Sequence, residues 1–131
     1  MKKTIILILG LIFSFMIFNT NSYSEEITKG QYLLEYQEYK DITPENIKKI
    51  KIIRYTEAGV SEKVIKDKKS IKDTYNYLKK IKIDSKTNFS CTDNTTIYHF
   101  TLNDNSQKYI EKECSWVIIN RQNYKIKIEK E

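Results

Sequence analysis

Acid–base or nucleophilic chemistry in this chain would have to come from very few side chains: His99 is the only histidine, and Cys91 and Cys114 are the only cysteines. Histidine is the side chain whose ordinary pKa puts proton exchange near neutral pH. His99 sits between Tyr98 and Phe100; on a strand it projects to the face opposite those rings, with Ile97 and Thr101 as nearest company. A serine triad is recognised by geometry that residue order does not carry, and a Cys–His pair needs an activated, unoxidised thiolate. Cys91, Asp93, His99 and Cys114 lack the close paired spacings of a structural zinc site. Asp93-Asn94 and Asn103-Asp104-Asn105 lack the spaced ligands and closing glutamate of a calcium loop and read as turn formers. Three glycines and one proline leave no glycine-built phosphate cradle. The expectation is therefore no catalytic residue, no cofactor and no metal ligand, with His99 an ordinary strand histidine.

The first residues carry a different kind of information. Lys2 and Lys3 precede an apolar run from Ile5 to Phe18 interrupted only by Gly10 and Ser14, and Ser22-Tyr23-Ser24 offers a small-x-small site before Glu25. This reads as a secretory signal peptide over residues 1–24. The run is shorter than the roughly 20 apolar residues a bilayer span requires, and polar residues 19–22 follow at once. Cleavage is the leading expectation and a retained anchor the alternative; after cleavage no membrane span is expected. In an oxidising compartment Cys91 and Cys114 are most simply a disulfide, which would add about 3 kcal/mol in the chain-entropy model. A pair of free thiols is the alternative. Asn88-Phe89-Ser90 and Asn94-Thr95-Thr96 match the glycosylation sequon, which matters only in a host that modifies it.

The formal net charge is +6, and Arg54 and Arg121 are the only arginines beside the lysines. Arginine supplies the planar fork that grips phosphate and base edges, so a specific nucleic-acid reader is not expected. Diffuse lysine is first a solvated surface, with a weak attraction to anionic wall polymers or lipid headgroups as the functional alternative.

Those few residues have to be placed by the elements around them. Residues 25–42 read as an N-terminal arm or short helix. Tyr32, Tyr36 and Tyr39 fall on one helical face beside Leu33, while the same letters admit a strand through Tyr32, Leu34 and Tyr36. The tyrosine stripe is a candidate sugar-stacking or partner surface, and more simply packing. Thr43-Pro44-Glu45 has the composition of a helical first turn. From Ile47 to Tyr55 lysine alternates with isoleucine, so Ile50 and Ile52 face the core of a strand. Glu57-Ala58-Gly59 turns the chain, and Glu62 to Lys66 returns antiparallel through Val64.

Ile71, Tyr75 and Leu78 then share one face of an amphipathic helix over about 68–80, with Asp67 or Ser70 as its N-cap. Ile81 and Ile83 begin a short strand, and 84–94 reads as a polar loop carrying Cys91. Alternating segments follow at Tyr98 to Leu102, Gln107 to Glu113, Trp116 to Ile119 and Tyr124 to Ile128, joined by turns at 103–105 and 121–123. Short connections require antiparallel neighbours. The expected fold is α+β: one main amphipathic helix packed on a twisted antiparallel sheet, forming a single domain over 43–131.

The order of a Thr-Pro-Glu-Asn-Ile entry at 43–47, a lysine/isoleucine strand, a hairpin, an Ile-x-x-x-Tyr-x-x-Leu helix and a strand meander resembles small exported or surface-anchored α+β proteins of Gram-positive bacteria. The resemblance covers roughly residues 43 to 128, rests on pattern and carries over no functional residue. The functional expectation is a secreted, non-enzymatic binding or accessory protein of a bacterial envelope or exterior, whose partner is an envelope protein or a wall polymer. Two alternatives stand beside it: an inhibitor or immunity-type protein that blocks an extracellular enzyme or toxin, and a small secreted enzyme.

Overall fold

A computed structural model describes residues 30–88 and 94–129. Seven strands form one sheet: β1 (Ile47–Thr56), β2 (Gly59–Ile65), β3 (Ile81–Thr87), β4 (Thr95–Leu102), β5 (Gln107–Glu113), β6 (Trp116–Ile119) and β7 (Gln122–Ile128). Among the described residues there is one α-helix, α1 (Lys68–Lys79), between β2 and β3. The spatial order is β2-β1-β4-β5-β6-β7-β3, and every neighbouring pair is antiparallel. The fold is thus a sheet-dominated α+β.

Turn chemistry explains the local pairing. Thr56 opposite Gly59 closes the β1–β2 hairpin over Glu57-Ala58, and Gly59 has φ +125°, a conformation that favours glycine. Ile119 opposite Gln122 leaves Asn120-Arg121 as a two-residue turn. Both have positive φ, 51° and 65°, the requirement of the hairpin turn whose twist matches its strands. Glu113 opposite Trp116 puts Cys114-Ser115 in the β5–β6 turn.

Apolar alternation then builds one buried layer. Ile50, Phe100, Ile110, Val117, Ile119 and Ile83 from the sheet share a core with Ile71 and Leu78 of α1. Asp67 caps the helix: its side chain accepts the Ser70 backbone N–H at 2.9 Å. Ser70 therefore lies inside the first turn, not at the cap.

The chain before β1 is part of the same core. It forms two 3-10 turns, Leu33–Glu35 and Gln37–Tyr39, and Leu33, Tyr36, Tyr39 and Ile42 are all buried. Tyr36 and Tyr39 are therefore packing residues, and burial pushes the Tyr39 phenol far above its ordinary range. Tyr32 stands apart. It bridges antiparallel to Lys82, while Gly30 N–H donates to Ile83 O at 2.7 Å and Ile83 N–H to Gln31 O at 2.8 Å. This arm covers the start of the outer edge of β3, whereas β2, at the other end of the sheet, has β1 as its one neighbour among the described residues.

Two expectations change at the level of elements. Strand β3 runs on to Thr87 instead of giving way to a loop at Asp84, because the backbone of Ser85, Lys86 and Thr87 pairs with Lys125, Tyr124 and Asn123 beyond a bulge. Around 43–46 there is a turn, with Asn46 N–H bonded to Thr43 O at 3.0 Å, and no helix.

Candidate functional site

Strand alternation sends one set of side chains toward the helix and the other to the opposite, open face of the sheet. His99 belongs to the second set, between the buried Tyr98 and Phe100, as its spacing requires. Its ring stacks on Tyr109 with centroids 4.4 Å apart and planes 13° from parallel. Gln107 Oε1 lies 2.8 Å from His99 Nε2 and accepts the Tyr109 hydroxyl at 2.9 Å. A carbonyl oxygen only accepts, so His99 Nε2 carries a proton and donates it. The three side chains form a local surface network that fixes the orientation of the His99 ring.

Pairing registers arrange the open face into rows across the strands. One row runs Val64, Lys51, His99, Tyr109; the next Glu62, Ile53, Ile97, Glu111, Ile118; the third Val60, Tyr55, Thr95, Glu113, Trp116, Lys125. Much of this apolar surface meets water. Val60 is 63% exposed, Tyr109 53%, Val64 51% and Tyr55 43%, and Ile53, Ile97, Trp116 and Ile118 are half-buried. The Lys51–Glu62 ion pair at 3.5 Å is exposed and adds little stability. Strand β2 thus returns with Val64 outward, and its inward residue is Ile65, at 6% exposure.

Two carboxylates stand within this apolar setting. Burial, with the neighbouring Glu113 charge added, pushes the Glu111 carboxyl above the ordinary glutamate range. Glu113 Oε2 is out of contact with water and has no hydrogen-bond partner among the described residues. A buried carboxylate oxygen without a donor is costly, so this pair is a place where a cationic donor from outside would be stabilised.

The remaining sequence candidates are only partly placed. Cys114 occupies the β5–β6 turn with φ +48°, and its N–H donates to Asn94 O at 3.2 Å. Cys91 and Asp93 lie outside the described residues, as does the middle of the expected polar loop. Asn88 and Asn94, the acceptor positions of the two sequons, are exposed. Among the described residues no group of three His, Cys, Asp or Glu side chains is placed to hold a metal ion, and no helix is long and apolar enough to cross a membrane.

No family model matches the chain, and neither a curated protein nor a solved structure was found similar to it. The site therefore rests on its own chemistry. Residue order had singled out His99 but not Tyr109, Gln107, Glu111, Glu113 or Trp116. Alternation within β5 puts Gln107, Tyr109, Glu111 and Glu113 on one side. That this side is the open one follows only from the pairing of Tyr98, on the buried face, with Ile110.

Proposed function

We propose that the chain is a secreted, non-enzymatic binding protein whose open sheet face docks a protein partner presenting a basic side chain. The observation that carries the reading is the Glu111–Glu113 pair, partly desolvated and flanked by Ile97, Ile118 and Trp116. Aromatic anchors around desolvated polar groups are the usual make-up of interface hot spots. An arginine or lysine from the partner would pair with the charge of the Glu111–Glu113 carboxylates, and tyrosine and tryptophan would supply the surrounding contact area at low entropic cost.

Export by the 1–24 signal, with cleavage before Glu25, belongs to the same proposal. So does a Cys91–Cys114 disulfide, supported by Cys114 not being free and by the Asn94 contact, which brings the chain three residues from Cys91 to the β5–β6 turn. The proposal also takes α1 as an amphipathic helix packed across one face of a twisted sheet, with the opposite face left uncovered; the burial of Ile71 and Leu78 against exposed Lys68, Lys69 and Lys72 supports it.

The test is affinity capture from an extracellular envelope fraction, followed by binding measurements with the captured protein. Trp116→Ala and Glu111→Gln should each weaken binding at least about tenfold, equivalent to about 1.4 kcal/mol. His99→Ala should cost less than that, because it removes a stacked ring at the margin of the acidic pair. A captured hydrolase or toxin whose activity falls on binding would make the protein an inhibitor. Binding untouched by Trp116→Ala and Glu111→Gln would remove the open face from consideration.

A further inference from the structure

A second concave surface lies away from the open face, where the N-terminal arm passes the C-terminal half of α1. This cleft measures about 780 Å³ and is lined in part by Tyr32, Leu34, Glu35, Tyr75, Asn76 and Lys79. Its size falls within the roughly 300–1,000 Å³ of small-molecule sites. The lining mixes two aromatic rings and a leucine with two carboxylates, an amide and two ammoniums. None of Glu35, Asn76 and Lys79 makes a side-chain hydrogen bond or ion pair among the described residues, so their bonding capacity is uncommitted.

Tyr32 is held in place from behind. Its hydroxyl donates to Glu129 Oε2 at 2.5 Å. The Lys82 ammonium, which does not line the cleft, lies 4.8 Å from the ring centroid and 3.6 Å from Glu129 Oε1. The same contacts hold the Glu129 carboxyl below its ordinary range, the Tyr32 hydroxyl contributing most. A ring held by Glu129 and Lys82 before any ligand arrives costs little further ordering on binding.

The chemistry of the lining selects among ligand classes. The cleft sets two carboxylates, Glu35 and Glu129, against two ammoniums, Lys79 and Lys80, and has no arginine, so it offers a phosphate-rich ligand neither a net positive field nor a planar fork. A wholly apolar ligand would desolvate charged groups without replacing their hydrogen bonds. A sugar satisfies both halves: its C–H face stacks on a tyrosine ring, and its hydroxyls donate to Glu35, accept from Lys79 and do both with Asn76.

We propose that the cleft between the N-terminal arm and α1 is a binding site for a short neutral oligosaccharide, stacked on Tyr32 and Tyr75 and hydrogen-bonded by Glu35, Asn76 and Lys79. The site is independent of the open face, so either can fail alone.

The test is a titration of 15N-labelled protein, followed by NMR, with maltotriose, cellotriose and tri-N-acetylchitotriose, and with tetra-alanine as a peptide control. At least one trisaccharide should shift the amide signals of Glu35, Asn76 and Lys79 saturably while leaving β2 and β5 unmoved. Asn76→Ala, an exposed helical position that keeps the fold, should weaken that binding about tenfold, and Tyr75→Ala at least as much where circular dichroism shows it folded. The proposal is overturned if no trisaccharide saturates, if the shifts fall elsewhere, if Asn76→Ala binds as the parent does, or if tetra-alanine competes at equal affinity.

Discussion

At the scale of single residues, the informative groups are those whose surroundings do not suit them. Glu111 is held above the ordinary carboxylate range by burial and by Glu113. A glutamate whose folded pKa lies above its unfolded one binds its proton more tightly in the native state. Its contribution to stability is therefore largest at low pH and falls as pH rises from the unfolded value through the folded one. Glu111→Gln removes that dependence: the variant should be more stable than the parent at pH 7, with the difference shrinking as the pH is lowered toward 4. Urea unfolding at several pH values measures this directly. Asp67 and Asp104 act in the opposite sense. Hydrogen bonds from Ser70 and Ser106 hold their carboxyls below the ordinary range, so their stabilisation is present at neutral pH and lost as pH falls through the folded value. If Glu111→Gln is less stable than the parent at pH 7, the acidic pair is already compensated within the fold and the case for a basic partner there weakens.

At the scale of elements, α1 and β1 show how one chain uses two periods. Ile71 and Leu78 are 4% and 0% exposed, seven residues apart on one face, while Lys72 and Lys79 next to them meet water. Leu78→Ala should cost about 2–5 kcal/mol by the loss of buried carbon and the cavity left behind, and Lys79→Ala no more than about 0.5 kcal/mol. Chemical denaturation of the two variants separates the cases, and equal losses would mean that the helix does not cover the core through Leu78. The helix, its cap and the β1–β2 hairpin were legible because they depend on neighbours within a few residues: Asp67 with Ser70, Thr56 with Gly59. The tyrosine arm was not. Tyr32, Tyr36 and Tyr39 keep helical spacing, yet the backbone follows two 3-10 turns because Leu33, Tyr36 and Tyr39 fill a gap left by elements far along the chain.

At the scale of the whole molecule, stability has to be shared between a modest core and whatever ties the ends of the sheet together. The proposed Cys91–Cys114 link would join the β3–β4 connection to the β5–β6 turn, and its loss should cost about 3 kcal/mol. Mass analysis of unreduced protein should show joined cysteine peptides, and reduction should move the unfolding midpoint to lower denaturant. Quantitative labelling of both thiols in native protein would dismiss the link. The same sample reports on export: N-terminal sequencing of material from the medium or wall fraction should begin at Glu25, whereas an intact Met1 in a membrane pellet would favour an anchor.

Sequence by itself determined which segments alternate and which follow a helical period, that short turns make neighbours antiparallel, and that His99 faces away from Tyr98 and Phe100. Each depends only on the direction in which successive side chains point along one element. Tertiary structure alone decided the order of the strands: β3 leaves α1 to pair with β7 at the far end of the sheet, and β4 returns to lie beside β1. That order brings Lys51, Ile53 and Tyr55 of β1 beside His99, Ile97 and Thr95 of β4 on the open face, and a cleft lies between the N-terminal arm and α1. Backbone hydrogen bonding is the same for every residue that can donate and accept. The choice among possible pairings therefore lies in how well the whole buried layer packs, a property of all the elements together that no local stretch of sequence expresses.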